Sequence, residues 1–417
     1  EDNRVDDFVT GIYVASSNNV EIDNNDVLDA DYGIYANRVS DLNIEDNFVD
    51  GREGSGSGLF GIYVENSYNA RIGGYNDGNT VEDFATGIRV RNSGSADIER
   101  NDVSSFSNYG IWASNSNHVD VKRNDVYDGS GTGIRVYNSD DAEINNNDLD
   151  NLGKDGIQLV DSHNVDIFSN TIDNVGNNGI WVDPSNNVEI AWNSIHDADW
   201  DGILVDYGNN AYIHNNHVHR TGRDGIDIND NDGVRIHDNE VYDAGDHGIE
   251  VSDSYNADIR WNDVRRADDD GINVTNSRRA DIRNNYVEWS WNDGIDVDGS
   301  ADVDVNDNHV HGTSRGNGIE VTNSYDADIN DNRVHYTDED GIYAENVHYA
   351  DIRGNTIHDT DWNGIRLVDS DNVDIVGNTI DDTGRNGIFV DPSDNFEIAW
   401  NDIHDADWNG ILLIDGD

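Results

Sequence analysis

Along this chain apolar residues alternate with polar ones in short stretches, and the stretches recur in a fixed order. Between Gly202 and Asp224, Ile203 and Val205 alternate with Leu204 and Asp206, Ala211 and Ile213 with Tyr212 and His214, and Val218 follows Asn216. Three runs of period two, separated by corners rich in Gly, Asn and Asp, predict three short β-strands; no 3.6-residue pattern competes with them. The set then repeats. A Gly-Ile pair returns eighteen times between Gly11 and Gly410, most often after 23 residues, and an asparagine stands fourteen residues behind almost every glycine. Such a period marks a solenoid, whose units bury their apolar faces against one another. Because each unit carries the same strands in the same register, strands stack on their own copies. The expected fold is all-β, a right-handed parallel β-helix solenoid of about 18 coils of about 23 residues, rising about 4.8 Å per coil.

The asparagine column follows from that geometry. An amide stacked on its equivalent in the next coil donates and accepts along the axis, so Asn124, Asn147, Asn170 and their counterparts read as a ladder and not as ligand contacts. The period is broken by GREGSGSGLF (51–60) and GGYNDGN (73–79), both expected to be loops. Otherwise 1–417 reads as a single β-helix. Its segment 156–200 recurs at 364–408 with 34 of 45 positions identical, which points to internal duplication. The ends fall in mid-coil, so the expectation is a segment of a longer chain, its exposed coil edges covered by more chain or by head-to-tail self-association.

Charge changes the picture of partners. The formal net charge is −61, from 86 acidic and 25 basic residues, and lysine occurs only at Lys122 and Lys154. Such self-repulsion calls for screening by a high-salt habitat or by calcium at Asp-rich corners. It excludes nucleic acid and anionic membranes as natural partners. No apolar run approaches a membrane span, and the absence of cysteine excludes disulfides and thiolate metal sites.

Three outward columns carry candidate chemistry. Two residues after the glycines stand Tyr13, Tyr35, Tyr63, Arg89, Trp112, Arg135 and Trp181. Aromatic rings suit sugars and the planar guanidinium suits carboxylates, which makes these the carbohydrate-binding candidates; the plainer reading is the ordinary preference of sheets for aromatic residues. Next, Asp206, Asp227 and Glu250 fall on neighbouring coils, with Asp183 one coil before. Like charges at strand spacing either raise a pKa or capture a cation, so Asp227 and Glu250 are candidate calcium ligands, although no cofactor is required. Seventeen residues after the glycines comes a histidine-rich column, His196, His219, His311, His335, His358 and His404. The pairs His196/His219 and His335/His358 are candidates for zinc or copper, against the alternative of a solvated polar face.

The repeat unit, as in GIRVYNSDDAEINNNDLD (133–150), resembles the right-handed β-helix repeats of NosD-like and pectin-lyase-like carbohydrate-binding and sugar-hydrolase proteins. That resemblance spans the chain and implies the fold; the same repeats serve lyases, epimerases, adhesins and maturation factors. A narrower one covers roughly 180–225, where IWVDPSNNVEIAWNSIHDADWDGILVD is similar to the active-site coils of mannuronan C-5 epimerases. Asp183 and Pro184 match the start of that family's Asp-Pro-His motif, Asp206 a later aspartate, and Arg223 an arginine. Ser185 stands in place of the histidine, Ile180 of a tyrosine and Asp224 of a second histidine. Asp183, Asp206 and Arg223 from this resemblance, with Asp227 from the carboxylate column, make the candidate catalytic set, and His196 or His219 would move the proton. Two functions stay open. One is an extracellular or cell-surface structural or adhesive scaffold that binds an acidic polysaccharide or matrix and assembles end to end. The alternative is a polysaccharide-modifying enzyme, a uronan C-5 epimerase or lyase.

Overall fold

The computed structural model describes residues 1–51, 58–74 and 78–414. They divide into two compact units, Glu1–Ala211 and Tyr212–Asp417. Each is a right-handed parallel β-solenoid, and the chain makes about 17 turns of roughly 23 residues. Among the described residues there is no helix. The middles of the two predicted loops, 52–57 and 75–77, lie outside the described residues.

One coil of the first unit shows why these residues form these strands. It comprises Thr132–Tyr137, Glu143–Asn145 and Asp148–Leu152. Alternation turns Ile134, Val136, Ile144 and Leu149 inward, where all are fully buried. Each sits on its equivalent one coil away: Ile111 and Ile157 flank Ile134, Val121 and Ile167 flank Ile144, and Val126 and Ile172 flank Leu149. The second unit repeats the scheme, with Ile226, Ile249 and Ile272 in one column and Val241, Val264 and Val287 in another. Burial of each such side chain contributes about 1.5–3 kcal/mol, so the apolar columns are the main stabilising element.

The glycine column answers a close approach. A Cβ on Gly110 would lie 2.4 Å from Val126 Cγ1 and 2.8 Å from the carbonyl oxygen of Gly133, distances no side chain tolerates.

Two polar ladders run inside each unit. The Asn147 Oδ1 accepts from both the backbone N–H and the side-chain amide of Asn124, at 3.0 Å each, and Asn124 Nδ2 also donates to Ile98 O at 2.9 Å. Asn262 and Asn285 repeat the arrangement in the second unit. The stacked amides expected from the sequence are therefore present, and each meets the obligation of a buried polar group. A serine ladder six residues after the glycines accompanies them. Ser116 Oγ accepts from the Ser93 N–H at 3.0 Å and donates to Ser114 O at 2.9 Å, and Ser139 and Ser162 continue the series. Ser116, Ser139 and Ser162 each follow an Asn or Asp with positive φ, at Asn115 (49°), Asn138 (47°) and Asp161 (48°). Those residue types tolerate the left-handed conformation, which explains the recurring Asn-Ser and Asp-Ser pairs.

Candidate functional site

In the first unit the strands place the residue two after each glycine outward and in register. Tyr13 pairs with Tyr35, Tyr35 with Tyr63, Tyr63 with Arg89, Arg89 with Trp112 and Trp112 with Arg135. Six of the seven carbohydrate-binding candidates thus form one continuous row. Trp181 stands apart from it, between Gln158 and Leu204. Strand spacing brings the rings onto one another: Tyr35 and Tyr63 stack at 4.9 Å and 7°, and Tyr13 tilts over Tyr35 at 5.1 Å. The row therefore presents ring edges and hydroxyls rather than open ring faces. Tyr35 donates its hydroxyl to Glu65 at 3.0 Å, and burial together with that carboxylate pushes its pKa up to about 12.

Where tyrosines give way to arginines the surface is concave. Phe60, Tyr63, Arg89, Arg91, Trp112, Ser114, Asn115 and Tyr137 line this depression. Arg89 is its floor: its guanidinium lies 3.4 Å from the Trp112 ring centroid, and it donates to Val90 O, Trp112 O and Ser114 Oγ. Burial holds its pKa down at about 10, so it stays charged at neutral pH. Arg91, half exposed, reaches Glu65 at 3.4 Å. Arg135 bonds the Tyr109 hydroxyl and lies 5.6 Å from the Tyr137 ring centroid. The Trp112 Nε1 and Arg135 Nε donors are buried without a partner among the described residues. Arg91, Ser114 and Tyr137 lie four residues after their glycines, an outward column that reading one column at a time overlooked.

The carboxylates proposed for catalysis fall in two columns, not one. Asp183 ends the strand Ile180–Asp183, whose neighbour Ile203–Asp206 carries Asp206 at the equivalent end. Burial, then Asp206 and Asp161, raise the Asp183 pKa. Both residues lie four after a glycine. Asp227 and Glu250, in the second unit, lie two after theirs and pair with each other, so the two sets occupy different outward columns. Burial also raises the Glu250 pKa. Arg223 is exposed, and its carbonyl accepts from the Thr221 hydroxyl at 2.9 Å. His196 contacts Ser194 Oγ at 2.9 Å, and His219 contacts Asp243 at 3.3 Å.

The three departures from the epimerase pattern all have internal duties. Ser185 is 1% exposed and accepts from the Ser162 N–H in the serine ladder. Ile180 is fully buried in the core. Asp224 is buried and accepts from the His247 N–H at 2.8 Å. All three side chains are buried.

A second carboxylate group was missed in the sequence. In the second unit Asp270, Asp293, Asp296 and Glu320 gather around Asn273 and Asn317. Asp270 accepts from the Asp293 N–H at 2.8 Å and from Asn273 Nδ2 at 3.1 Å, while Asn317 Nδ2 donates to Glu320 at 2.6 Å. Asp296 stacks between Asn273 and Glu320. Burial, then Asp270 and Glu320, push its pKa up to about 8, and burial raises Asp293 strongly as well. Half of this group occupies the position just before the glycines, where Asp and Asn recur from Asp155 to Asn409; among 86 acidic residues nothing marks which ones are buried.

Matches to the right-handed β-helix region cover residues 10–147, 60–191, 132–287 and 270–417. No curated protein matches the chain. Among solved structures, the A-module of the Azotobacter vinelandii mannuronan C-5 epimerase AlgE6 is 14% identical, with 74% of this chain and 90% of that one covered and a TM-score of 0.47. The periplasmic alginate epimerase AlgG is 15% identical over 74% of this chain and 76% of that one, with a TM-score of 0.38. The Dettilon tailspike protein is 13% identical over 74% and 62%, with a TM-score of 0.47. With matches running from residue 10 to residue 417, the chain belongs to the right-handed β-helix family.

Proposed function

We propose that this chain is a non-catalytic, cell-surface scaffold that binds an acidic polysaccharide through the arginine–aromatic depression of its first unit. One observation carries the reading: in a chain of net charge −61, Arg89, Arg91 and Arg135 gather around Tyr63, Trp112 and Tyr137. An anionic polymer repelled elsewhere would be admitted here, its carboxylates meeting the guanidiniums of Arg91 and Arg135 and its sugar rings packing against the exposed ring edges. Arg89 supports the floor. No cofactor is required for this contact, and calcium at Asp227 and Glu250 would serve only to screen charge.

Against an epimerase or lyase stand Ser185, Ile180 and Asp224, whose side chains serve the ladders and the core. The test is incubation with polymannuronate, polyguluronate and pectate at high salt, with and without calcium. The expected result is retention of polymer with no new unsaturated ends in ultraviolet absorbance and no change in anomeric proton signals. Turnover abolished by Asp206→Asn and Arg223→Ala would establish the enzyme instead.

A further inference from the structure

The second unit holds three imidazoles that converge. His309 and His311 lie two apart on the strand His309–Thr313 and so share its outward face; His335 is in register with His311 on the next coil. His335 Nε2 is 2.6 Å from His309 Nε2 and 3.3 Å from His311 Nδ1, and the two Nδ1 atoms of His311 and His335 are 3.1 Å apart. One nitrogen from each ring can therefore point at a common centre. Each neutral imidazole has one N–H and one lone pair, so N–H···N bonds can serve the His309 Nε2–His335 Nε2 and His335 Nδ1–His311 Nδ1 contacts but leave the His335 Nε2–His311 Nδ1 contact lone pair to lone pair or N–H to N–H. A cation that accepts all three lone pairs can satisfy them. The ring nitrogens of tetrahedral ligands at about 2.0–2.1 Å from zinc stand roughly 3.3 Å apart; His335 Nε2 and His311 Nδ1 have that separation, and His309 Nε2 lies closer, 2.6 Å from His335 Nε2.

The surroundings fit that role. His335 is buried, and His309 and His311 are half-buried. Trp289 and Tyr336 stand edge-on to His311 at 5.3 and 5.1 Å. They fence the cluster, and both occupy left-handed corners (φ 60° and 61°) where a large aromatic residue is costly. His358 stacks on His335 at 4.8 Å, with its Nδ1 committed to Asp359 at 2.7 Å. The pair His335/His358 expected from the sequence is thus stacked, and the converging partners are His309 and His311.

We infer that His309, His311 and His335 form a binding site for a divalent transition metal ion of the zinc, copper and nickel class, with a further coordination position open to solvent. Three nitrogen ligands without thiolate or carboxylate select such ions over calcium or magnesium.

The test uses the whole chain, stripped with chelator and titrated calorimetrically with zinc chloride in excess calcium. One zinc per chain should bind at this site, unaffected by calcium. His335→Ala should weaken that event at least about tenfold; His311→Gln, at a half-buried position, should do the same in a chain whose circular dichroism is unchanged. With copper(II) in place of zinc, electron paramagnetic resonance should show hyperfine coupling to three nitrogens. Absence of zinc binding, equal binding by His311→Gln, or a copper signal carrying fewer than three nitrogens would each overturn the assignment.

Discussion

The guanidinium of Arg89 lies over the indole of Trp112, with its central carbon 3.4 Å from the ring centroid. The same group donates to Val90 O, Trp112 O and Ser114 Oγ, so one buried cation ties adjacent coils at the floor of the depression. Arg89→Ala removes the cation–π contact and leaves those acceptors short of a donor; a loss of about 2–4 kcal/mol is expected. Arg89→Lys recovers little, because an ammonium cannot stack or fork. Denaturant unfolding of both variants checks this, and a lysine variant as stable as the parent would contradict it.

Asn147 accepts twice from Asn124 and donates to Val121 O and Asn170 Oδ1. Asn147→Ala orphans buried groups on both neighbouring coils and should cost about 3 kcal/mol or more. Asn147→Asp keeps the acceptor but buries a charge, and should be at least as damaging at neutral pH. Equilibrium unfolding in urea reads both.

Introducing the histidine of the epimerase motif should not introduce epimerase chemistry. Ser185 points into the serine ladder, with 1% of its surface exposed. Ser185→His overfills that space, at a cost of about 1–3 kcal/mol, and loses the hydroxyl that serves Ser162. The expected outcome is a lower melting temperature and no epimerisation of polymannuronate by proton NMR. Gain of epimerisation would show that the position faces a substrate after all.

The fold was legible because the glycine, the two apolar strand pairs and the asparagine each recur at fixed offsets, and a solenoid has no other way to use such a period. The serine ladder is periodic too, although Val39, Gly208, Asn231 and Val347 interrupt it; Asn-Ser and Asp-Ser also suit ordinary turns, so its inward direction emerged only with the positive φ of Asn115 or Asn138. The site was less legible because outward columns were read singly. Side chains two apart on one strand share a face, which is how Arg91 joins Arg89 and how His309 joins His311. Burial of Asp293 and Asp296 left no mark in so acidic a sequence.

Those two carboxyls make stability depend on pH in an unusual direction. Their folded-state pKa values are raised above the unfolded value, Asp296 to about 8. Between the unfolded value near 4 and that point the native state holds more protons than the unfolded one, so this group lowers stability as pH rises. Asp293→Asn preserves an acceptor for the Asn317 N–H, as Asn317 itself provides for Asp340 at 3.0 Å. It should raise the melting temperature at pH 8 and change it little near pH 4. An equal shift at both values, or a drop at pH 8, would remove the cluster as the cause.

The most direct measurement is calorimetric titration of the whole chain with polymannuronate oligomers at a series of ionic strengths, beside the double variant Arg91→Ala, Arg135→Ala. Loss of two charge-assisted contacts should weaken binding about tenfold or more and flatten its dependence on salt, with Arg89 and the fold intact. Equal affinity and equal salt dependence in the two proteins would contradict the arginine–aromatic depression as the polysaccharide site.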